Sequence, residues 1–193
     1  MFNENAKSVD AVSAALEKAL GATDRASAGG VYRIECRDKD GNVKWSAESH
    51  NLVVNVGLQD MNAKYFTGTT YTAAWYIGLY GAGASNNPAA GDTASSHGGW
   101  TEITPYSNAT RPACTFNSAS LANPSVISNT SSPAQFNINA TSTVGGAFLI
   151  SNNTKGGSTG ILFSASDFQS PGDRNVASGD TLNVTYTFSL TAT

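Results

Sequence analysis

Residues 180–191, DTLNVTYTFSLT, alternate without a break. Leu182, Val184, Tyr186, Phe188 and Leu190 fall on one face, and Asn183, Thr185, Thr187, Ser189 and Thr191 on the other. Successive side chains of a strand point to opposite faces, so this period of two predicts a strand with one side packed and one side in water. The same period appears upstream. Tyr32, Ile34 and Cys36 share a face, Asp40-Gly41 supplies a tight turn, and Val43, Trp45 and Ala47 resume the alternation. An Asp-Gly pair between alternating runs is a strong hairpin signal. Residues 74–80, with WYIGLY at their heart, are apolar on both faces, which predicts a strand covered on both sides.

Further short strands are expected at residues 113–116, 135–140, 144–150 and 161–164, separated by the turn clusters NTSSP, NNTKGGSTG and QSPGDRN. A short helix is expected over residues 57–65, where Leu58, Met61 and Tyr65 line up and Gly68 closes the turn. Residues 81–99, GAGASNNPAAGDTASSHGG, read as a long loop with little to hold it together internally. The expected fold is therefore mainly β: an antiparallel β-sandwich or jelly-roll-like domain with one short internal helix and a short helical N-terminal arm. Residues 1–30 read as arm and linker, and residues 31–193 as the sandwich domain.

In the arm, Ser8 suits an N-cap and Asp10 a first turn, while Gly21 provides the stop. Val9, Val12, Leu16 and Leu20 recur at helical spacing as an apolar stripe. A helix of about 13 residues is marginal alone in water, so the stripe must dock on its own domain or on a partner. Burying four such side chains contributes on the order of 6–10 kcal/mol before ordering costs. The following GATDRASAGG reads as a flexible linker.

Charge is unevenly spread. Residues 1–50 carry 15 charged side chains and residues 51–193 only 10, of which eight lie in the 128 residues from Phe66 onward. Ser, Thr, Asn and Gly fill the space between apolar runs. Acid–base chemistry needs titratable groups gathered in one place, so this body points to adhesion rather than catalysis. A net charge of -3 offers no basic surface for phosphates, and nucleic acid is not an expected partner. No apolar run approaches the ~20 residues of a membrane span, and the N-terminus lacks a basic start with an apolar core, so neither a membrane nor a secretory role is expected.

The motifs that carry chemistry elsewhere lack their context here. Gly156-Gly157-Ser158-Thr159-Gly160 fits the G-x-S-x-G pattern, but a strand rather than a helix should follow, and His50 and His97 both precede it. Asp38-Lys39-Asp40-Gly41-Asn42 resembles a calcium loop, yet its anchoring positions fall on Cys36 and Ala47. Gly81-Ala82-Gly83-Ala84-Ser85-Asn86 lacks the third glycine of a dinucleotide loop. His50 and His97 have no ligand spacing with Asp92 or Cys114. Cys36 and Cys114 read as buried thiols, a disulfide being the alternative. Trp75, Tyr76, Tyr80, Trp100 and Tyr106 could form a sugar platform, but aromatics at strand spacing more often form core. No catalytic, cofactor or metal residues are assigned, and the expected interaction residues are Val9, Val12, Leu16 and Leu20.

Five segments, taken in order, resemble a family of small tailed-bacteriophage virion proteins: HNLVVNVGLQDMNAKYFTG, TAAWYIGLYG, SSHGGWTEITPYSNATRPACTF, VGGAFLI and SGDTLNVTYTFSLT. They lie within residues 50–191, and the arm falls outside them. The resemblance implies a virion structural protein of the decoration, cement or fibre-related kind, made in the bacterial host cytoplasm. It implies no catalytic residues. The implied partners are the major capsid protein or other virion proteins together with further copies of the chain, a trimer being the expected symmetry. A tail or fibre component (adaptor, collar or host-contacting module) is the second expectation, and an enzyme acting on glycans or peptides a remote third.

Overall fold

The computed structural model describes residues 25–71, 74–81, 87–168 and 172–192. Its strands are β1 (Ala26–Arg37), β2 (Val43–His50), β3 (Leu52–Val53), β4 (Tyr76–Gly81), β5 (Ser125–Ser128), β6 (Ala134–Asn137), β7 (Ser142–Ile150), β8 (Leu162–Asp167), β9 (Arg174–Val176) and β10 (Thr181–Ala192), with helix α1 (Asn55–Phe66) between β3 and β4. They form two sheets in which every ladder is antiparallel. One sheet runs β2-β1-β10-β5, with β6 also on β10; the other runs β3-β8-β7-β4, with β9 on β7. The architecture is a mainly β, antiparallel sandwich.

The first sheet is built on β10, whose alternation is as the sequence dictates: Leu182, Val184 and Tyr186 are wholly buried. Its neighbour β1 packs Tyr32, Ile34 and Cys36 into the same core. Gly41 takes a left-handed φ of 86° at the β1–β2 turn, a conformation that costs glycine nothing. Across the ladder, β5 and β6 share one edge of β10 in tandem, the first pairing residues 187–190 and the second 181–184. The gap between them is closed by Asn129. Its side chain accepts from Tyr186 N at 2.6 Å and donates to the Val184 carbonyl at 3.2 Å. A buried amide thus stands in for a missing strand residue, and together with Asn129 N donating to the Tyr186 carbonyl it pairs Tyr186 N and the Tyr186 and Val184 carbonyls.

β1 begins at Ala26, inside the stretch expected to be linker. Ala26 pairs with Ala192 and Gly30 with Phe188, so the long β10 supplies backbone partners to residues with little strand preference of their own. The strand expected at residues 113–116 is reduced to a single bridge, Ala113 to Tyr76. Residues 101–114 instead run beside the free edge of β4. Ile77 N donates to the Pro112 carbonyl, Gly81 N to Thr101 and Cys114 N to Trp75. That cover caps an edge that would otherwise expose unpaired amides.

The second sheet is buried on both faces. Ile77, Leu79, Ala147, Leu149 and Phe163 pack inward against the first sheet. Tyr80, Phe148, Ile150, Leu162 and Ala165 form a second cluster with Ala94 and Trp100. The doubly apolar WYIGLY is explained by this two-sided burial. Residues 87–99 are also better held than a loose loop: Asp92 is buried, accepting from Trp100 Nε1 and from Ala89 N, both at 2.9 Å.

Candidate functional site

Helix α1 is where expected, but its packing is thin. Only Gly57 is fully buried, because its Cα presses on the backbone of Phe163; a Cβ there would stand 2.4 Å from the Phe163 carbonyl oxygen. No side chain caps the N-terminus, and the last turn is held by Thr67 Oγ1 donating to the Ala63 carbonyl. Tyr65, Phe66 and Tyr71 are 83%, 77% and 72% exposed. The rings of Tyr65 and Phe66 meet edge-on with centroids 4.8 Å apart. Leu58 on the same helix is also exposed. Scattered apolar residues on a surface need no explanation, but clustered aromatics mark contact sites.

Beside this helix lies a groove of about 180 Å³ with an almost wholly apolar lining, including Met61, Trp75, Phe116, Ile127, Phe163 and Phe188. Asp60 and Lys64 stand on its rim, 3.7 Å apart as an i,i+4 pair. The α1 surface and this groove together form the candidate interaction site. The stripe Val9, Val12, Leu16 and Leu20 lies outside the described residues.

A second cavity, about 190 Å³, opens against the outer cluster of the second sheet. Its charged residues are Arg111 and Glu102, both buried. The guanidinium grips the carboxylate with two parallel bonds, Nε to Oε1 at 2.9 Å and Nη2 to Oε2 at 2.7 Å. The remaining donors reach the Asn152 and Gly157 carbonyls, each at 2.8 Å, and Glu102 also accepts from Gly156 N. Arg111 lies over the Phe148 ring, 5.4 Å from its centroid. A buried bidentate pair stabilises only when most of its other donors and acceptors find partners; here four of the five guanidinium N–H groups do, two on Glu102 and one each on Asn152 and Gly157. The cluster pins the 152–157 turn onto the loop that covers β4.

This cavity also brings together residues that the sequence left apart. His97 and Ser158 line it with Glu102. A catalytic triad needs a base bonded to the nucleophile and a carboxylate bonded to the base. Here the Glu102 carboxylate is taken by Arg111 and Gly156. His97 stacks on Trp100 at 3.9 Å, and its Nδ1–H donates to the Trp100 carbonyl at 2.8 Å. The G-x-S-x-G segment is an exposed turn, with strand β8 after it.

The remaining sequence candidates separate. Asp38 closes the β1–β2 turn by accepting from Asp40 N and Asn42 N, each at 2.9 Å, and these bonds hold its carboxyl below the usual carboxylate range. His50 is exposed at the end of β2. Tyr80, Trp100 and Tyr106 are buried, and they divide between the two core clusters, so the five aromatics make no single platform. Cys36 and Cys114 are free, buried thiols. Burial pushes both up to about 12, Cys36 with help from the neighbouring Asp180 charge, so neither is an activated nucleophile. Among the described residues, no group of three or more His, Cys, Asp or Glu side chains is placed to hold a metal ion.

Sequence reasoning missed both the groove and the Arg111–Glu102 pair. A usable signal for the pair was there: two opposite charges nine positions apart in an otherwise uncharged, aromatic-rich loop. The groove had none, because its lining comes from α1, β5, β8 and β10 and from loops far apart in the chain. No family model, curated protein or solved structure matches this chain.

Proposed function

We propose that this chain is a bacteriophage structural protein of the capsid decoration or cement kind, which binds the assembled shell through its N-terminal arm and its β-domain. The observation that carries this reading is the exposed aromatic surface of α1 beside an apolar groove, on a body whose buried charges are engaged with internal partners. Such a molecule has surface to adhere with. Its charge-poor, hydroxyl-rich exterior suits a protein that must stay soluble before assembly. The segments that resemble virion proteins cover α1, β4, the 95–116 cover, β7 and β10, which include most of the walls of both cavities. The partners in this reading are the major capsid protein or other virion proteins, and further copies of the chain, as a trimer.

Immunogold labelling of intact particles tests the assignment. Label distributed over the head is the expected result. Label confined to the tail would transfer the protein to the adaptor, collar or host-contacting class, and unlabelled particles would remove it from the virion.

A further inference from the structure

The groove beside α1 is unusual in this fold because it continues to the point where the N-terminal segment enters. Phe188 and Ile127 line it and are direct cross-strand partners on β10 and β5. Two residues along β10, on the same face, Leu190 remains 40% exposed, and Ala28 stands opposite it on β1. Ala26, two residues before Ala28 on that same face, is the first residue of β1. An apolar track therefore runs from the groove to the root of the segment spanning residues 1–24. Along β1, Ala26 lies about 13 Å from Gly30, the partner of Phe188, at ~3.3 Å per residue.

The segment is the right length to come back along this track. The six residue steps from Leu20 to Ala26 reach at most ~20 Å fully extended, enough to return Leu20 to the level of Phe188. A helix over residues 8–20 would add about 20 Å, enough to lie beside α1 with its apolar stripe facing inward. The groove's size sets the contact: about 180 Å³ admits one leucyl side chain and part of a second. The exposed rings of Tyr65, Phe66 and Tyr71 would flank the rest of the stripe. Tethering favours this arrangement over one between molecules, since a link of a few residues gives an effective concentration on the order of millimolar. Both partners also need it, for neither the stripe nor the thinly packed α1 is satisfied alone.

We propose that, in the free protein, the Val9/Val12/Leu16/Leu20 stripe of each chain docks in the α1 groove of that same chain. The inference concerns the protein before it meets any partner and does not depend on the virion reading. It gives the groove a resident occupant that a shell would have to displace or extend.

Hydrogen exchange on the purified full-length chain tests it. Amides of residues 9–20 are expected to be protected at least tenfold over an unstructured peptide, independently of protein concentration. Leu16→Asp should abolish that protection and speed exchange in Asn55–Phe66 several-fold, leaving β7 and β10 unchanged. Among the described residues the buried core falls between Tyr32 and Phe188, so unchanged protection in β7 and β10 serves as the folded reference for the variant. From the groove side, Tyr71→Ser should release the same N-terminal amides. Two results would overturn the proposal. One is random-coil exchange in residues 9–20. The other is protection that rises with concentration alongside a dimer in sedimentation equilibrium, which would assign the groove to a second copy.

Discussion

Two regions of the second sheet's surroundings solve the same problem in opposite ways. On the outer face, Tyr80, Phe148, Ile150 and Leu162 are sealed under a loop that Arg111 and Glu102 lock in place. Beside α1, Phe163 and Leu149 border a groove whose rim aromatics face water. The first region is closed by charge-assisted bonds whose partners are all internal. The second leaves apolar area uncovered by the described residues. The contrast teaches where this molecule has free energy left for association: at α1, and not in the cavity that holds its conventional chemistry.

Substitutions in the locked region should be the most costly. Arg111→Met leaves Glu102 buried without its cation, and breaking such a pair costs about 3–5 kcal/mol. A urea unfolding midpoint that barely moves would mean the loop is not pinned as described. Next in size is Gly57→Ala, which forces a Cβ against the Phe163 carbonyl and lifts α1 from the sheet. Overpacking of this kind costs about 1–3 kcal/mol, and faster hydrogen exchange confined to α1 and the β3–β8 edge would localise it.

A pH measurement compares the first sheet with both regions. Asp180 is buried, which by itself raises its pKa, but the Lys44 ammonium at 2.5 Å and the Ala177 N–H at 2.8 Å outweigh that and hold it below the usual carboxylate range. A depressed folded pKa contributes stability that is complete above the unfolded value of ~4 and is lost as pH falls through the folded one. Asp180→Asn is therefore expected to lower the melting temperature at pH 7 and to flatten its decline below pH 4. An unchanged acid limb would show that the Lys44 contact is not maintained in solution. The smallest effect on stability belongs to the open region. The double substitution Tyr65→Ser, Phe66→Ser should stay within roughly 0.5 kcal/mol per site, because exposed rings leave little packing to lose.

The sequence was readable wherever local pattern and tertiary environment agreed. The β10 alternation and the Asp40-Gly41 hairpin each carry their own signal in a few residues; the helix was legible from Leu58, Met61 and Tyr65 although Leu58 and Tyr65 stay exposed. Legibility failed where a partner far along the chain made the decision. Ala26 to Gly30 read as linker because small residues say nothing about an overhanging β10. β5 and β9 are four and three residues long, too short for a period to emerge. Residues 113–116 alternate well but meet β4 at one bridge only, since Pro112 has no N–H to donate and Asn117 N already bonds to Ser128 of β5. For Arg111 the one local signal was Glu102, nine residues upstream in an otherwise uncharged loop. Its other partners lie more than forty residues downstream at Asn152 and Gly157.

Quantitative co-sedimentation with assembled shells most directly tests the proposed adhesion through the α1 surface. Wild-type protein should saturate the shells. The folded Tyr65→Ser, Phe66→Ser variant should bind at least ~30-fold more weakly, the ~2 kcal/mol loss of an aromatic hot spot at an interface. Equal saturation by the two proteins at equal concentration would contradict the account.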